Sequence, residues 1–154
     1  MTENKETIQA LSLVAKCTNP DDLKRLYVNA TKLGNKVVAD AAQRKRFAVL
    51  PAAEPGTVEH DVWQSIHALE AALSDERGKT TRLARTRQKI SRDGEIVTVR
   101  DLIMKSAASE GFKMLMERGW PELAFESVAL RHPDQFAPEI LKKAEDRLSD
   151  GARD

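Results

Sequence analysis

The sequence predicts an all-α protein, a multi-helix orthogonal bundle of roughly seven to nine short helices. Apolar residues recur at intervals of three and four along most of the chain, which is the period of a helix with one buried face. Residues that favour helix N-termini stand before these stripes, and glycine or proline stands after them. At 154 residues, the chain suits one domain or two small helical subdomains.

Residues 1–50 are predicted to form an N-terminal helical hairpin subdomain. Its clearest helix start is Asn19-Pro20, since asparagine can accept hydrogen bonds from the first turn and proline fits the first helical position. Gly34 can end this helix in a left-handed conformation. A shorter helix is expected before Asn19 and a third after Gly34, ending near Pro51.

A Pro- and Gly-containing segment over residues 51–57 is the predicted linker. The C-terminal helical domain is expected over residues 58–150. Thr57 can cap its first helix, and Gly78 is expected to break or turn the chain after it. The apolar stripe of that helix consists of Val62, Ile66, Leu69 and Leu73.

A basic helix is predicted over residues 80–92 and ends at Asp93-Gly94. A small β-hairpin over Ile90–Val99 is the alternative, because Asp-Gly suits a type I′ turn.

Four further short helices are predicted in the last third of the chain. Capping residues or prolines are expected to start them, and glycine or proline is expected to end three of them. The predicted starts are Thr98, Ser109, Pro121 and Pro138, and the predicted ends are Gly119, Pro133 and Gly151.

Charge is distributed in blocks, although the chain as a whole carries a net charge of only +1. Residues 1–50 are net positive, 51–76 contain acids and no bases, 77–100 are strongly positive, and 101–154 are net negative. Such blocks indicate either pairing within the molecule or a charged partner. Aromatic residues make up 5% of the chain, so stacking on bases is not expected to be the main binding mode.

The basic block is the candidate binding site, because arginine can pair with phosphate through two hydrogen bonds. On a continuous helix, Arg82, Arg85 and Lys89 would share one stripe with Arg92, away from the apolar Leu83. A competing interpretation is that the acidic segment 54–76 folds against these cations and neutralises them. The candidate nucleic-acid-binding residues are Arg77, Lys79, Arg82, Arg85, Arg87, Lys89 and Arg92, joined by Arg44, Lys45 and Arg46.

No catalytic machinery, metal site or cofactor is predicted. Gly78-Lys79-Thr80 lacks the earlier glycine and the preceding strand of a phosphate-binding loop. His60 and His67 share a helix face, but a metal site needs a third or fourth ligand. The sequence therefore predicts a protein that is not an enzyme.

The leading hypothesis is a non-enzymatic nucleic-acid-binding accessory protein that contacts the phosphate backbone, with DNA favoured over RNA. The alternative is a helical adaptor or regulatory subunit that binds a protein partner through complementary charge blocks. One cysteine, a polar N-terminus and the absence of a long apolar run predict a cytoplasmic protein without a membrane partner. The oligomeric state is left open.

Overall fold

A computed structural model describes the backbone of residues 5–153 and the side chains of residues 5–151. This part of the chain forms nine α-helices and two short 3₁₀ helices, and it contains no strand. The all-α fold class is therefore confirmed. The α-helices are α1 Lys5–Lys16, α2 Pro20–Lys32, α3 Lys36–Val49, α4 Val58–Arg77, α5 Ala84–Asp93, α6 Glu95–Ile103, α7 Glu110–Glu117, α8 Phe125–Arg131 and α9 Pro138–Arg153. The 3₁₀ helices are Pro121–Leu123 and Pro133–Gln135.

The chain divides into two compact units, of which unit 1 ends at Pro51 and unit 2 begins at Ala52. Unit 1 contains α1–α3, and its most extensive helix contact is between α2 and α3. A hydrogen bond from Asn35 Nδ2 to Thr7 Oγ1, 3.0 Å long, joins the start of α1 to the start of α3. The buried apolar residues of this unit's core are Val14, Leu23, Ala30, Val38, Ala39 and Ala42.

Unit 2 is built around α4, the longest helix, which packs against α6, α7 and α8. Because these three helices pack around it, α4 has buried residues on several of its faces. Helix α9 packs on α8, α6 and α7. The largest core cluster of this unit includes Val58, Val62, Ile66, Ile90, Val99, Ile103, Phe125, Val128, Phe136 and Ile140.

Local capping signals predicted several helix ends correctly. Asn19 Oδ1 accepts hydrogen bonds from the amides of Asp21 and Asp22. Thr57 and Ser109 each accept a hydrogen bond from the third helical residue, so they start α4 and α7 as expected. These interactions span three residues or fewer and are therefore visible in the sequence.

The predicted basic helix starts too early and the hairpin alternative is wrong. Helix α5 begins at Ala84 rather than at Thr80, and residues 90–93 lie in α5 and residues 95–99 in α6. Gly94 joins the two helices with φ 90° and ψ 168°, a conformation that only glycine adopts without strain. The Asp-Gly pair thus makes a helix-to-helix junction instead of a strand turn.

Three other predicted boundaries differ from the structure. Thr98 does not cap a helix: it is buried inside α6 and its hydroxyl donates to the carbonyl of Gly94 at 2.8 Å. Pro121 opens a 3₁₀ helix, and α8 starts later at Phe125. Gly151 does not end α9, which continues to Arg153. A Cβ at position 151 would lie only 3.0–3.1 Å from side chains of α7, so close packing explains this glycine.

Among the described residues, no helix combines the length and the apolar character needed to cross a bilayer.

Candidate nucleic-acid interface

The structure divides the seven cations of residues 77–92 into two groups. Four of them precede or begin α5 and are exposed to solvent; they are Arg77, Lys79, Arg82 and Arg85, which together we call the basic corner. The other three lie further along α5 and are engaged by carboxylates; they are Arg87, Lys89 and Arg92. The single stripe predicted along a continuous helix is therefore not formed, since Arg82 lies before the helix starts.

Backbone interactions shape the basic corner. Gly78 ends α4 in a left-handed conformation, with φ 69°. The amide of Thr81 donates to Ser74 Oγ at 2.8 Å, and the amide of Leu83 donates to Glu70 Oε2 at 2.9 Å. These two hydrogen bonds tie residues 81 and 83 to α4. Leu83 has a non-helical conformation, with φ −84° and ψ 71°, and α5 starts at Ala84.

The side chains of the basic corner make no ion pair or hydrogen bond with any residue that the structure describes. No acidic residue lies in the first turn of α5. Four positive charges over nine residues thus remain available to an external anion.

Arg87, by contrast, is part of the internal structure of unit 2. Its Nε and Nη2 atoms donate to the two carboxylate oxygens of Glu70 at 2.6 and 2.7 Å. Its guanidinium also lies 5.2 Å from the ring centroid of Trp63, whose Nε1 donates to Glu95. The hydrogen bond to Glu70 raises the pKa of Arg87, so this cation is fixed and permanently charged.

Glu70 is buried and would resist ionisation if it were alone. Burial raises the pKa of its carboxyl, but hydrogen bonds from the side chain of Arg87 and the amide of Leu83 outweigh this effect, and the resulting pKa lies below its ordinary value. Glu70 therefore serves as the anionic anchor that holds α5 against α4.

The last two cations of α5 are engaged by acids that follow them in sequence. Lys89 Nζ lies 3.0 Å from Asp93 Oδ2 and 2.8 Å from Asp101 Oδ2. The hydrogen bonds that Lys89 donates to Asp101 and, to a smaller extent, to Asp93 raise the pKa of Lys89. Arg92 lies 3.2 Å from Asp93 but remains largely exposed. These contacts make Lys89 and Arg92 weaker candidates for phosphate binding than the basic corner.

The acidic segment 54–76 engages only one of the seven cations, through Glu70 and Arg87. Asp75 and Glu76 lie 3.3 and 3.9 Å from Arg118, the C-cap residue of α7. Asp61 forms ion pairs with residues 131 and 132. The acids of this segment therefore do not neutralise the basic block as a whole. The carboxylates that pair with Lys89 and Arg92 are those of Asp93 and Asp101.

The three cations predicted in unit 1 have local contacts. Arg44 Nε lies 2.7 Å from Asp40 Oδ2 on the same helix. Lys45 Nζ donates to the carbonyl of Ala15 at 3.0 Å, which ties α3 to the end of α1. Arg46 is half-buried. Arg44 and Lys45 therefore make contacts that stabilise unit 1, and they are weaker candidates for phosphate binding than the basic corner.

Sequence patterns missed a cluster that joins α4 to the end of α8. His132 Nε2 lies 2.7 Å from Asp61 Oδ2, and Arg131 Nε donates to the same oxygen at 3.2 Å. Burial opposes ionisation of Asp61, yet the hydrogen bond from His132 and the positive charge of Arg131 hold its pKa below the ordinary value. The partners are about seventy residues apart in sequence, so no local spacing could have predicted the cluster.

Metal-ligating residues do not converge in the described part of the chain. No group of three or more His, Cys, Asp or Glu side chains there is arranged to hold a metal ion. Cys17 is a half-buried free thiol in unit 1.

Comparison of the chain with protein-family models, curated proteins and solved structures gave no match. We therefore infer the role of the basic corner from its own geometry and charge.

Proposed function

We propose that this protein is a non-enzymatic, cytoplasmic accessory protein that binds the phosphate backbone of nucleic acid through the basic corner. The observation that carries this proposal is the contrast within one segment: four exposed cations have no partner among the described residues, whereas Arg87 and Lys89 are held by carboxylates. The two cations that stabilise the fold are therefore paired with carboxylates, and the four cations of the basic corner are not.

The chemistry of the basic corner fits phosphate. Three of its four cations are arginines, whose planar guanidinium donates two parallel hydrogen bonds to phosphate oxygens. The start of α5 adds the positive end of a helix dipole beside Arg82 and Arg85. Such contacts hold a nucleic acid without reading its sequence.

Binding is expected to be electrostatic and therefore sensitive to salt. Each phosphate contact on duplex DNA contributes a slope of about −0.9 to the plot of log K against log salt concentration. Four contacts at the basic corner correspond to a slope of about −3.6. We propose duplex DNA as the first ligand to test, with single-stranded DNA and RNA beside it.

The proposal is tested by gel-shift titration at low salt with wild type and a variant that removes the basic corner, R77Q/K79Q/R82Q/R85Q. A control variant, K24Q/K32Q/K113Q/K142Q, removes the same number of charges from exposed positions elsewhere. We expect the first variant to lose binding and the control to keep most of it. Equal loss in both variants would mean that only the overall charge matters, and absence of wild-type binding would rule the proposal out.

A second candidate function, a helical adaptor, is supported by the surface of unit 1. Five of the six large apolar side chains that are exposed in the described residues lie in this unit, where Leu33 is 84% exposed. Exposed apolar side chains that form a contiguous patch are typical of protein-binding surfaces, and this candidate function requires that those of unit 1 do so. The five residues are Ile8, Leu13, Val28, Leu33 and Val37.

The two candidates differ in what disrupts binding. Retention on DNA that falls steeply with salt supports the nucleic-acid proposal. A complex with a protein that survives high salt and is lost in I8S/L33S/V37S would support the adaptor.

A further inference from the structure

Unit 2 contains a cavity of about 330 Å³ that shares one lining residue, Arg77, with the basic corner and is otherwise separate from it. Helices α4, α6, α7 and α8 and the start of α5 contribute to its wall. The wall is mostly apolar, and its main side chains are Leu69, Leu73, Leu83, Leu102, Phe112, Leu115 and Phe125. Ligand sites in proteins commonly have this character: apolar walls with a few placed polar groups and volumes from about 300 Å³ upward.

One charged side chain in this wall is buried. Glu126 is 5% exposed, and its Oε2 accepts a hydrogen bond from Arg147 Nη1 at 3.1 Å. Arg147 is itself buried and also donates to the carbonyl of Lys105 at 2.7 Å. The charge of Glu126 is thus balanced, while its other oxygen, Oε1, accepts no hydrogen bond from any described residue.

We propose that this cavity binds a small, neutral, largely apolar molecule whose hydroxyl or N–H group donates a hydrogen bond to Glu126. This inference goes beyond nucleic-acid binding and does not depend on it. Since a carboxylate only accepts hydrogen bonds, the ligand must supply the donor.

The charge and size of the ligand follow from the same residues. Two other charged residues line the cavity, the exposed Arg77 and Glu110, and their charges are of opposite sign. Arg147 already neutralises Glu126, so a cationic ligand would leave a buried net charge, which is costly. An anionic ligand would be repelled by the carboxylate. The volume suits a molecule of about the size of a bicyclic aromatic compound, near the lower end of known ligand pockets.

The inference is tested with two probes that differ in one donor: 1-naphthol, which carries a hydroxyl, and 1-methoxynaphthalene, which does not. Each is titrated into the full chain by fluorescence or calorimetry. We expect saturable binding of 1-naphthol with Kd below about 1 mM. We expect 1-methoxynaphthalene to bind about tenfold more weakly, because a hydrogen bond to a charged group is then lost.

Two variants locate the site. In E126M/R147M both buried charges are replaced by apolar groups of similar length, a change that proteins often tolerate. This variant should bind the two probes with nearly equal affinity. In L73W, an enlarged side chain at the half-buried edge of the cavity should weaken binding of both probes at least tenfold. If the double variant does not fold, L73W still tests the location.

Three outcomes would overturn the inference. One is the absence of saturable 1-naphthol binding to wild type, and another is equal affinity of wild type for both probes. The third is unchanged 1-naphthol binding by L73W, which would place the bound molecule elsewhere.

Discussion

The two halves of the basic segment have similar composition but different surroundings. Residues 77–85 present four exposed cations without partners among the described residues, whereas residues 87–92 carry three cations held by Glu70, Asp93 and Asp101. The difference arises from what packs nearby. Arg87 reaches Glu70 of α4 through two hydrogen bonds, and α5 packs beside α6, which supplies Asp101 to Lys89.

This comparison shows that a run of positive charge need not act as one surface. In the second half, Arg87 and Lys89 are held by carboxylates and only Arg92 is largely exposed, whereas all four cations of the first half are exposed. Substitutions in the second half should therefore change stability first, and substitutions in the first half should change binding first.

The largest expected effect comes from breaking the pair of Arg87 and Glu70. R87M removes both hydrogen bonds to a buried carboxylate and should destabilise the protein by about 3 kcal/mol. R85M, two residues away and exposed, should change stability by less than about 0.5 kcal/mol. Urea denaturation followed by circular dichroism measures both.

Replacing both Arg87 and Glu70 shows whether the loss of stability comes from leaving a buried charge without its partner. R87M/E70Q should recover most of the lost stability, because no buried charge then remains without its partner and the side-chain amide at position 70 can still accept the hydrogen bond from the Leu83 N–H. If R87M and R85M proved equally stable, the pair of Arg87 and Glu70 would not stabilise the fold, and the two halves of the segment would not differ in their structural role.

A smaller effect is expected at the junction between α5 and α6, which places Asp93 and Asp101 near Lys89. G94A forces a residue with a Cβ into φ 90° and ψ 168°, which should cost about 1–3 kcal/mol. Lack of space is not the cause, since no atom beyond the two neighbouring residues lies within 4 Å of the added Cβ. A melting temperature equal to that of wild type would show that the junction adopts another conformation.

Lowering the pH should destabilise the folded protein, because protonation of Glu70 weakens its hydrogen bonds with Arg87. The pKa of Glu70 is lowered in the folded protein from its ordinary 4.5, so its contribution to stability is complete above about pH 4.5. That contribution is lost as the pH falls below this value towards the folded-state pKa. We expect E70Q to be less stable than wild type at pH 6 and to lose less stability on acidification.

Denaturation at pH 6 and pH 3.5 tests this, with E139Q on the exposed surface of α9 as a control for the loss of one acid. An unchanged pH dependence in E70Q would mean that other groups account for the acid sensitivity.

The sequence predicted what depends on local contacts. Asn19, Thr57 and Ser109 were identified as caps because each bonds an amide two or three residues away. Gly78 and Gly119 were identified as chain breaks because their left-handed conformations, with φ of 69° and 75°, need no distant partner.

Predictions were wrong where the conformation depends on residues that are distant in sequence. The residues before α5 depend on contacts with another helix, since the amides of Thr81 and Leu83 donate to Ser74 and Glu70 of α4. Thr98 has the residue type of a cap but is buried in α6. The same limitation applied to the candidate site, since the pairing of Arg87 with Glu70 spans seventeen residues and depends on tertiary packing.

The comparison is tested most directly by measuring how binding to duplex DNA depends on salt in two double variants. R82Q/R85Q removes two exposed cations of the basic corner, and K89Q/R92Q removes two that are engaged by acids. We predict that the first variant reduces the magnitude of the salt slope by about 1.8, and that the second leaves the slope nearly unchanged. Equal reductions in both variants, or a larger reduction in K89Q/R92Q, would contradict the account.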